Sequence, residues 1–303
     1  MVVLGFDHQC TGDAHTLLHS SGEFADLGIG KLLQTDHVVV FLRHLNKIFE
    51  QSNAISEGKN MGRYDRQLLE FTEEEQKALR SATVGMIGCG GLGNGVSTSL
   101  AVAGVGKLII MDPDVPEESN LNRQFVFCKN VLSEAERRPK AELLFEWIAD
   151  LNKDVEVEYH VGRFSEETSH IFDECDVIVD CLDSLKYRML VNSYCVKTGK
   201  PFVHGAIDGF IAEIAVIRPG VTPCLRCMMG DCNYGGRTPA SIGSVVMSTA
   251  SMEATEVLKL LIGRSGRTEG LFISFDYLNW NHTKINFSKD PDCPVCGVGK
   301  QKE

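Results

Sequence analysis

Residues 84–114, VGMIGCGGLGNGVSTSLAVAGVGKLIIMDPD, limit the possible folds more than any other stretch of the chain. A short apolar run, Val84 to Ile87, enters the glycine-rich turn Gly88-Cys89-Gly90-Gly91-Leu92-Gly93. A small-residue helix follows, then a second apolar strand, Leu108 to Met111, which ends in Asp112. Strand, glycine turn, helix and a strand ending in an acid make a βαβ phosphate-binding unit. Its glycines let the backbone approach a phosphate at a helix N-terminus, and the acid about twenty residues on holds a ribose. By itself the unit serves NAD as readily as ATP.

The rest of the pattern extends this unit into a sheet. FTEEEQKALRSA (71–82) reads as a helix capped by Thr72, with acids in its first turn. An irregular loop follows Asp112, then a helix at about 139–150 with Pro139 in its first turn. VEVEYHV alternates as a half-exposed strand, and DVIVDCLD (176–183) is a buried strand ending in acids. A helix over 184–198, strands PFVHGA and IAEIAVI, a long helix over 244–262 and strands LFISFDY and HTKINF complete the order. The expected fold is α/β: a Rossmann-like, mostly parallel sheet with helices on both faces and an antiparallel C-terminal portion. Residues 1–55, with a strand (His37 to Phe41) passing into an amphipathic helix, read as a small appended α+β module. Residues 56–62 read as a linker, and 63–303 as the nucleotide-binding domain.

Composition removes whole classes of function. The net charge of −11 argues against nucleic acid as the main partner. The N-terminus lacks a cationic n-region and a long apolar segment, so a cytoplasmic protein that makes no use of a membrane is expected. Eleven cysteines are many for such a chain, and four of them form two Cys-x-x-Cys pairs, Cys224/Cys227 and Cys293/Cys296. Two thiolate hooks suit a closed tetrahedral Zn²⁺ site that is structural rather than catalytic. The 65 residues between the pairs would make such a site tie the C-terminal tail back onto the domain.

Charged residues favour ATP over NAD. SNLNRQ (119–124) and RRPKAE (137–142) place Asn120, Arg123, Gln124 and Lys140 in the segment expected to fold over the glycine loop. Hydride transfer needs no such cations, whereas attack at the α-phosphate of ATP builds charge on phosphorus and on the leaving pyrophosphate. Fixed cations there stabilise the transition state more than the ground state. Asp183, past the end of its strand, stands on the ligand side of a parallel sheet and could hold Mg²⁺ on the triphosphate. Asp180 ranks below it, and His204 reads as structural.

RYDRQ (63–67), GCGGLG, DPD (112–114), SNLNRQ, RPK, CLD and the two Cys-x-x-Cys pairs stand in the order seen in the ThiF/MoeB/ubiquitin-activating superfamily, which the chain resembles over about residues 63–297. The resemblance implies an enzyme that adenylates a carboxylate with ATP. It implies that Gly88, Gly90, Gly91 and Gly93 cradle phosphate, that Asp112 binds ribose with Asp114 supporting the same loop, and that Asn120, Arg123, Gln124 and Lys140 serve the triphosphate. Asp183 would assist Mg²⁺. Arg66 resembles the arginine that such enzymes insert into a partner subunit's site, which implies a homodimer.

Sulfur-carrier activators of this superfamily often carry a cysteine before the long C-terminal helix, and here alignment puts Gly236 at that position, with Cys232 four residues earlier. TPASIGSVV (238–246), YCVKTGKPFVHGA (194–206) and GCGGLGNGVS look closer to the branch that adenylates a microcin peptide. By that resemblance residues 1–55 are a winged-helix-like element that recognises a ribosomally made precursor peptide. The activated acyl group would then be captured by a nitrogen of the same peptide, in antibiotic biosynthesis. The alternatives are activation of a ubiquitin-like sulfur carrier, with Cys232 as thiol, and, more distantly, an NAD-dependent oxidoreductase.

Overall fold

Among the described residues eight strands, numbered in chain order, form one sheet in the order β3-β2-β1-β4-β5-β6-β7-β8. The computed structural model describes residues 62–128, 137–230 and 238–297. The module at 1–55 and nearly all of the linker at 56–62 fall outside these residues, as do Cys232 and Gly236. The chain divides into two units, Met1–Thr72 and Glu73–Glu303. Within the first, 62–72 form successive turns, with the Leu68 amide donating to the Tyr64 carbonyl and Phe71 to Gln67.

The second unit begins with α1 (Glu73–Ser81), β1 (Thr83–Ile87), α2 (Gly91–Ala103) and β2 (Lys107–Asp112), followed by α3 (Lys140–Leu151) and β3 (Glu156–Val161). Pro139 stands at the cap of α3, one residue before the first turn. The remainder is β4 (Val177–Asp180), α4 (Leu185–Thr198), β5 (Phe202–Asp208), β6 (Ile211–Ile217), the short α5 (Leu225–Met229), α6 (Gly243–Leu261), β7 (Leu271–Asp276) and β8 (Asn281–Asn286). Strands β1 to β5 are parallel, and β5 to β8 pair antiparallel. The α/β architecture read from the sequence is the one observed, antiparallel tail included.

Side chains alternate across the sheet. Val84, Met86, Leu108, Ile110, Val177 and Val179 pack in one core with residues of α2, α3 and α6. Ile87, Ile109, Met111 and Ile178 pack in the other with residues of α4 and α5. Both faces are covered, which is why these strands are apolar throughout. The small residues of α2 set its spacing from α6: a Cβ on Gly95 would stand 2.5 Å from Ala250 Cβ, and one on Gly91 2.7 Å from Val246 Cγ1. Among the described residues no helix is long and apolar enough to cross a membrane.

Candidate active site

The sheet order reverses between β1 and β4: the chain winds outward through β2 and β3, then returns to β4 on the other side of β1. At such a switch point the loops beyond the carboxyl ends of the strands part and leave a crevice. The glycine turn lines this crevice. Gly88 has φ +103°, and a Cβ there would stand 2.5 Å from the Cys181 carbonyl, so only glycine lets the turn pass so close to the end of β4. A Cβ on Gly93 would overlap the Gly88 carbonyl. Helix α2 starts immediately beyond, capped by Gly90, and presents its N-terminal amides to the crevice.

Asp112, at the end of β2, locks the turn. Its carboxylate accepts from the Cys89 amide at 2.7 Å and from the Asp114 amide at 2.8 Å. Burial raises its pKa, and these two amides and the Lys140 charge pull it back down. A carboxylate offers about four acceptor positions, so lone pairs remain for a ribose. Burial likewise pushes the Cys89 thiol up, which makes it a packing residue rather than a nucleophile.

The cations converge on this point. Lys140 is buried at the start of α3, its amide bonded to the Asp114 carbonyl and its Nζ 3.8 Å from the Asp114 carboxylate. A buried lysine with one loose partner is a charge held ready for an anion. Arg123 lies against the glycine loop: a Cβ on Gly91 would be 3.4 Å from Arg123 Cγ. Its guanidinium donates to the Ser119 carbonyl and to Asn122 Oδ1. Gln124 is buried beside Gly90, and its Oε1 has no partner. The structure therefore brings Gly88, Gly90, Gly91, Gly93, Asp112, Asp114, Arg123, Gln124 and Lys140 to one crevice.

The remaining expected site residues are Asn120, Asp183 and Arg66. Asn120 uses its side-chain oxygen to accept from the Glu117 amide in a capping box, so its visible work is to shape the 117–120 turn. Asp183 is exposed just beyond β4, at the carboxyl end of the sheet. Arg66 is exposed within the separate N-terminal unit.

Sequence reasoning missed what lies beneath Asp183. Asp180 is fully buried, with Oδ1 accepting from the Leu182 amide and Oδ2 3.2 Å from Arg188 Nη1 and 2.8 Å from His204 Nδ1. Arg188 also donates to the Gly205 carbonyl at 2.6 Å and to the Leu182 carbonyl. Burial lowers the His204 pKa, so the imidazole is neutral. Asp180 is thus an internal strut and His204 a structural residue. The signal for Arg188 was its place on one buried stripe of α4 with Asn192 and Cys195.

The two cysteine pairs, far apart in sequence, meet in space. Cys224–Cys227, Cys224–Cys293 and Cys227–Cys296 sulfur separations are 3.9, 3.7 and 3.4 Å. Sulfurs about 2.3 Å from a tetrahedral Zn²⁺ stand about 3.8 Å apart, so the donor set and spacing fit zinc. Cys224 caps α5, and the second pair closes a tight turn in which Gly297 donates to the Cys293 carbonyl at 2.9 Å.

Similarity to known proteins agrees with this geometry. The SAMP-activating enzyme E1 of Haloferax volcanii is 34% identical over 247 residues, covering 79% of this chain and 90% of that protein. The sulfur carrier protein adenylyltransferase of Thermus thermophilus is 33% identical over 252 residues, covering 79% and 92%. Among solved structures, Escherichia coli MccB with MccA-N7isoASN superposes with a TM-score of 0.68 at 26% identity, covering 80% of this chain and 76% of that one. The ThiF family model matches residues 64–295. The chain belongs to the ThiF family and is an ATP-dependent adenylyltransferase.

Proposed function

We propose that the chain adenylates a carboxylate on a ribosomally made precursor peptide, and that the acyl-adenylate is then captured by a nitrogen of the same peptide. The observation that carries the adenylation chemistry is buried Lys140 beside Asp112 and Asp114, facing the glycine turn against which Arg123 packs. A carboxylate oxygen attacks the α-phosphorus of ATP, the bond to the β-phosphate oxygen breaks, and pyrophosphate leaves. The turn amides and the α2 N-terminus hold the phosphates, while Asp112 holds the ribose. Arg123, Lys140 and Arg66 of a second copy neutralise charge as it develops, and Gln124 orients oxygens by donating from its Nε2, which lies beside Gly90. Asp183 would hold Mg²⁺, which screens the triphosphate. The capturing nitrogen forms a bond to the acyl carbon, loses its proton, and releases AMP.

The peptide is favoured by the 63 residues ahead of the family match, which the curated relatives' coverage of 79% leaves largely unmatched, and by likeness to MccB, solved with MccA. A second reading has its own support. The relatives at 34% and 33% identity are named for activating SAMP and a sulfur carrier protein, which favours the C-terminus of a small carrier as substrate. In either case the chain works as a homodimer with a structural zinc.

ATP–pyrophosphate exchange decides. Exchange with short peptides encoded beside the gene, and none with a carrier ending in Gly-Gly, is the expected result. Exchange with the carrier alone overturns the peptide reading and makes Cys232 the next residue to replace. No exchange with either, together with no ATP binding, overturns the adenylation site itself.

A further inference from the structure

The loop that carries Arg123 and Gln124 is held at its two ends by asparagine side chains. At the inner end Asn94, fully buried in the first turn of α2, donates from Nδ2 to the Cys89 carbonyl at 2.9 Å. Its Oδ1 accepts from the Val126 amide at 3.1 Å, so the phosphate turn and the end of the loop are joined. At the outer end Asn122 makes a similar pair of bonds. Its Nδ2 donates to the Ser241 carbonyl at 2.9 Å, and its Oδ1 accepts from Arg123 Nη1 at 2.8 Å. Ser241 stands in a segment that is itself fixed. It forms a parallel bridge with Gly209, whose amide donates to the Ala240 carbonyl at 2.9 Å, while the Ala240 amide donates to Asp208 Oδ1 at 3.1 Å. Two residues further on, α6 opens at Gly243, where a Cβ would stand 2.3 Å from the Asn122 carbonyl oxygen. The 240–243 segment is thus tied to Asn122 by a side-chain bond and by close backbone packing.

We propose that Asn122 is a positioning residue for adenylation, an amide bridge that aims the Arg123 guanidinium at the triphosphate and takes its own bearing from the 240–243 segment. The inference rests on the reading of Arg123 as a triphosphate ligand and adds what holds it in that role. The count of hydrogens supports it. Nη1 of an arginine carries two, and Arg123 directs them to the Ser119 carbonyl and to Asn122 Oδ1. The hydrogens on Nε and Nη2 have no partner among the described residues. They form the planar fork that takes two phosphate oxygens side by side. The anchored nitrogen therefore sets the direction of the free edge. An untethered arginine samples many rotamers, so fixing one before ATP arrives reduces the entropy lost on binding. Asn122 is exposed and belongs to neither apolar core, so its bonds serve the loop rather than the packing of the domain. A displacement of the 240–243 segment would reach the cation through this one side chain.

The test asks whether Asn122 acts through Arg123. Dissociation constants for ATP and for AMP are measured by calorimetry on the full chain and on Arg123→Ala, Asn122→Ala, Asn122→Gln and the double variant Asn122→Ala/Arg123→Ala. AMP lacks the outer phosphates and reports on the rest of the site. Arg123→Ala is expected to weaken ATP about twentyfold and AMP by less than about twofold. Asn122→Ala is expected to weaken ATP about fivefold and likewise to spare AMP. The double variant should bind ATP no more than about twofold worse than Arg123→Ala, because without the guanidinium nothing is left to aim. Asn122→Gln keeps a donor and an acceptor on a longer side chain and should recover ATP affinity to within about twofold of the parent. ATP affinity unchanged in Asn122→Ala, beside a weakened Arg123→Ala, overturns the bridge and leaves the reading of Arg123 standing. Equal weakening of ATP and AMP overturns it too, because Asn122 would then only support the fold. So do losses that multiply in the double variant, since the two side chains would be acting independently. If Arg123→Ala itself binds ATP normally, the reading of Arg123 as a triphosphate ligand falls, and the bridge falls with it.

Discussion

The nucleotide crevice and the four-cysteine cluster are both assembled from distant segments, yet they hold together by opposite means. At the crevice the backbone does the joining. The Asp112 carboxylate ties two amides, the Gly88 turn rests against the Cys181 carbonyl, and Gly93 leaves room for Gly88. These contacts all lie within the chain itself, so the shape exists before any ligand arrives. At the cluster four thiols stand within 4.8 Å of one another. As thiolates they repel one another, and as thiols they make only weak hydrogen bonds. A preorganised site can spend ligand binding on chemistry, whereas a site of bare donors spends it on folding.

Metal removal is the sharpest way to break this comparison. Dialysis against a strong chelator should strip about one zinc per chain and lower the melting temperature by more than about 10 °C, since structural zinc contributes folding free energy outright. Cys293→Ser should reproduce the loss. The end of the tail, from β8 to Cys296, should become the first site of limited proteolysis. An unchanged melting temperature after verified metal loss would make the cluster as self-sufficient as the crevice.

Gly93→Ala attacks the other side, and its effect on stability is smaller. The added methyl would overlap the Gly88 carbonyl and must push the turn off its seat. Overpacking of this kind costs about 1–3 kcal/mol, and ATP affinity should fall at least tenfold because the displaced amides no longer converge on phosphate. The variant should keep its zinc. Loss of zinc together with loss of ATP binding would mean that the two sites are one cooperative unit, and the contrast between them would disappear.

What was legible in the sequence follows the same division. The glycine turn, Asp112 and each Cys-x-x-Cys hook are local patterns, and a local pattern survives ignorance of the strand order. The α/β succession is local too, and the helix and strand spans stand close to where periodicity puts them. Asp180 with Arg188 and His204, or Asn122 with Ser241, depends on which strands and loops are neighbours in space. Asp180 pairs with His204 only because β4 and β5 are adjacent and in that register. Asn120 shows a different kind of gap. Its motif was recognised, but its side chain also accepts from the Glu117 amide and closes the 117–120 turn, a local bond that the motif did not disclose. Glu253 was visible in principle, as the one carboxylate in the apolar stripe Val246, Ala250, Glu253 and Val257 of α6.

Glu253 gives the most specific expected effect, because only its dependence on pH carries the signal. It is fully buried against Gly205, where a Cβ would overlap its carboxyl group, and neither oxygen has a hydrogen-bond partner. Burial and the nearby Asp180 raise its pKa well above the ordinary 4.5, against the pull of Arg188, so the folded protein holds it as the neutral acid. The sign follows from linkage. Below the ordinary value both folded and unfolded chains are protonated, and the acid costs nothing extra. As pH rises past it, the unfolded chain releases the proton while the folded chain keeps it, so stability declines by about 1.4 kcal/mol per pH step until the folded carboxyl titrates. Glu253→Gln carries a neutral amide in the same volume at every pH. Its melting temperature should match the parent near pH 4.5 and exceed it increasingly towards pH 8, by about 2–4 °C for each kcal/mol in a domain of this size. A difference independent of pH would mean that the carboxylate is ionised in the fold and neutralised by Arg188 from across the sheet. The crevice floor would then carry a buried ion pair, and the strut of Asp180, Arg188 and His204 would extend through the sheet to α6.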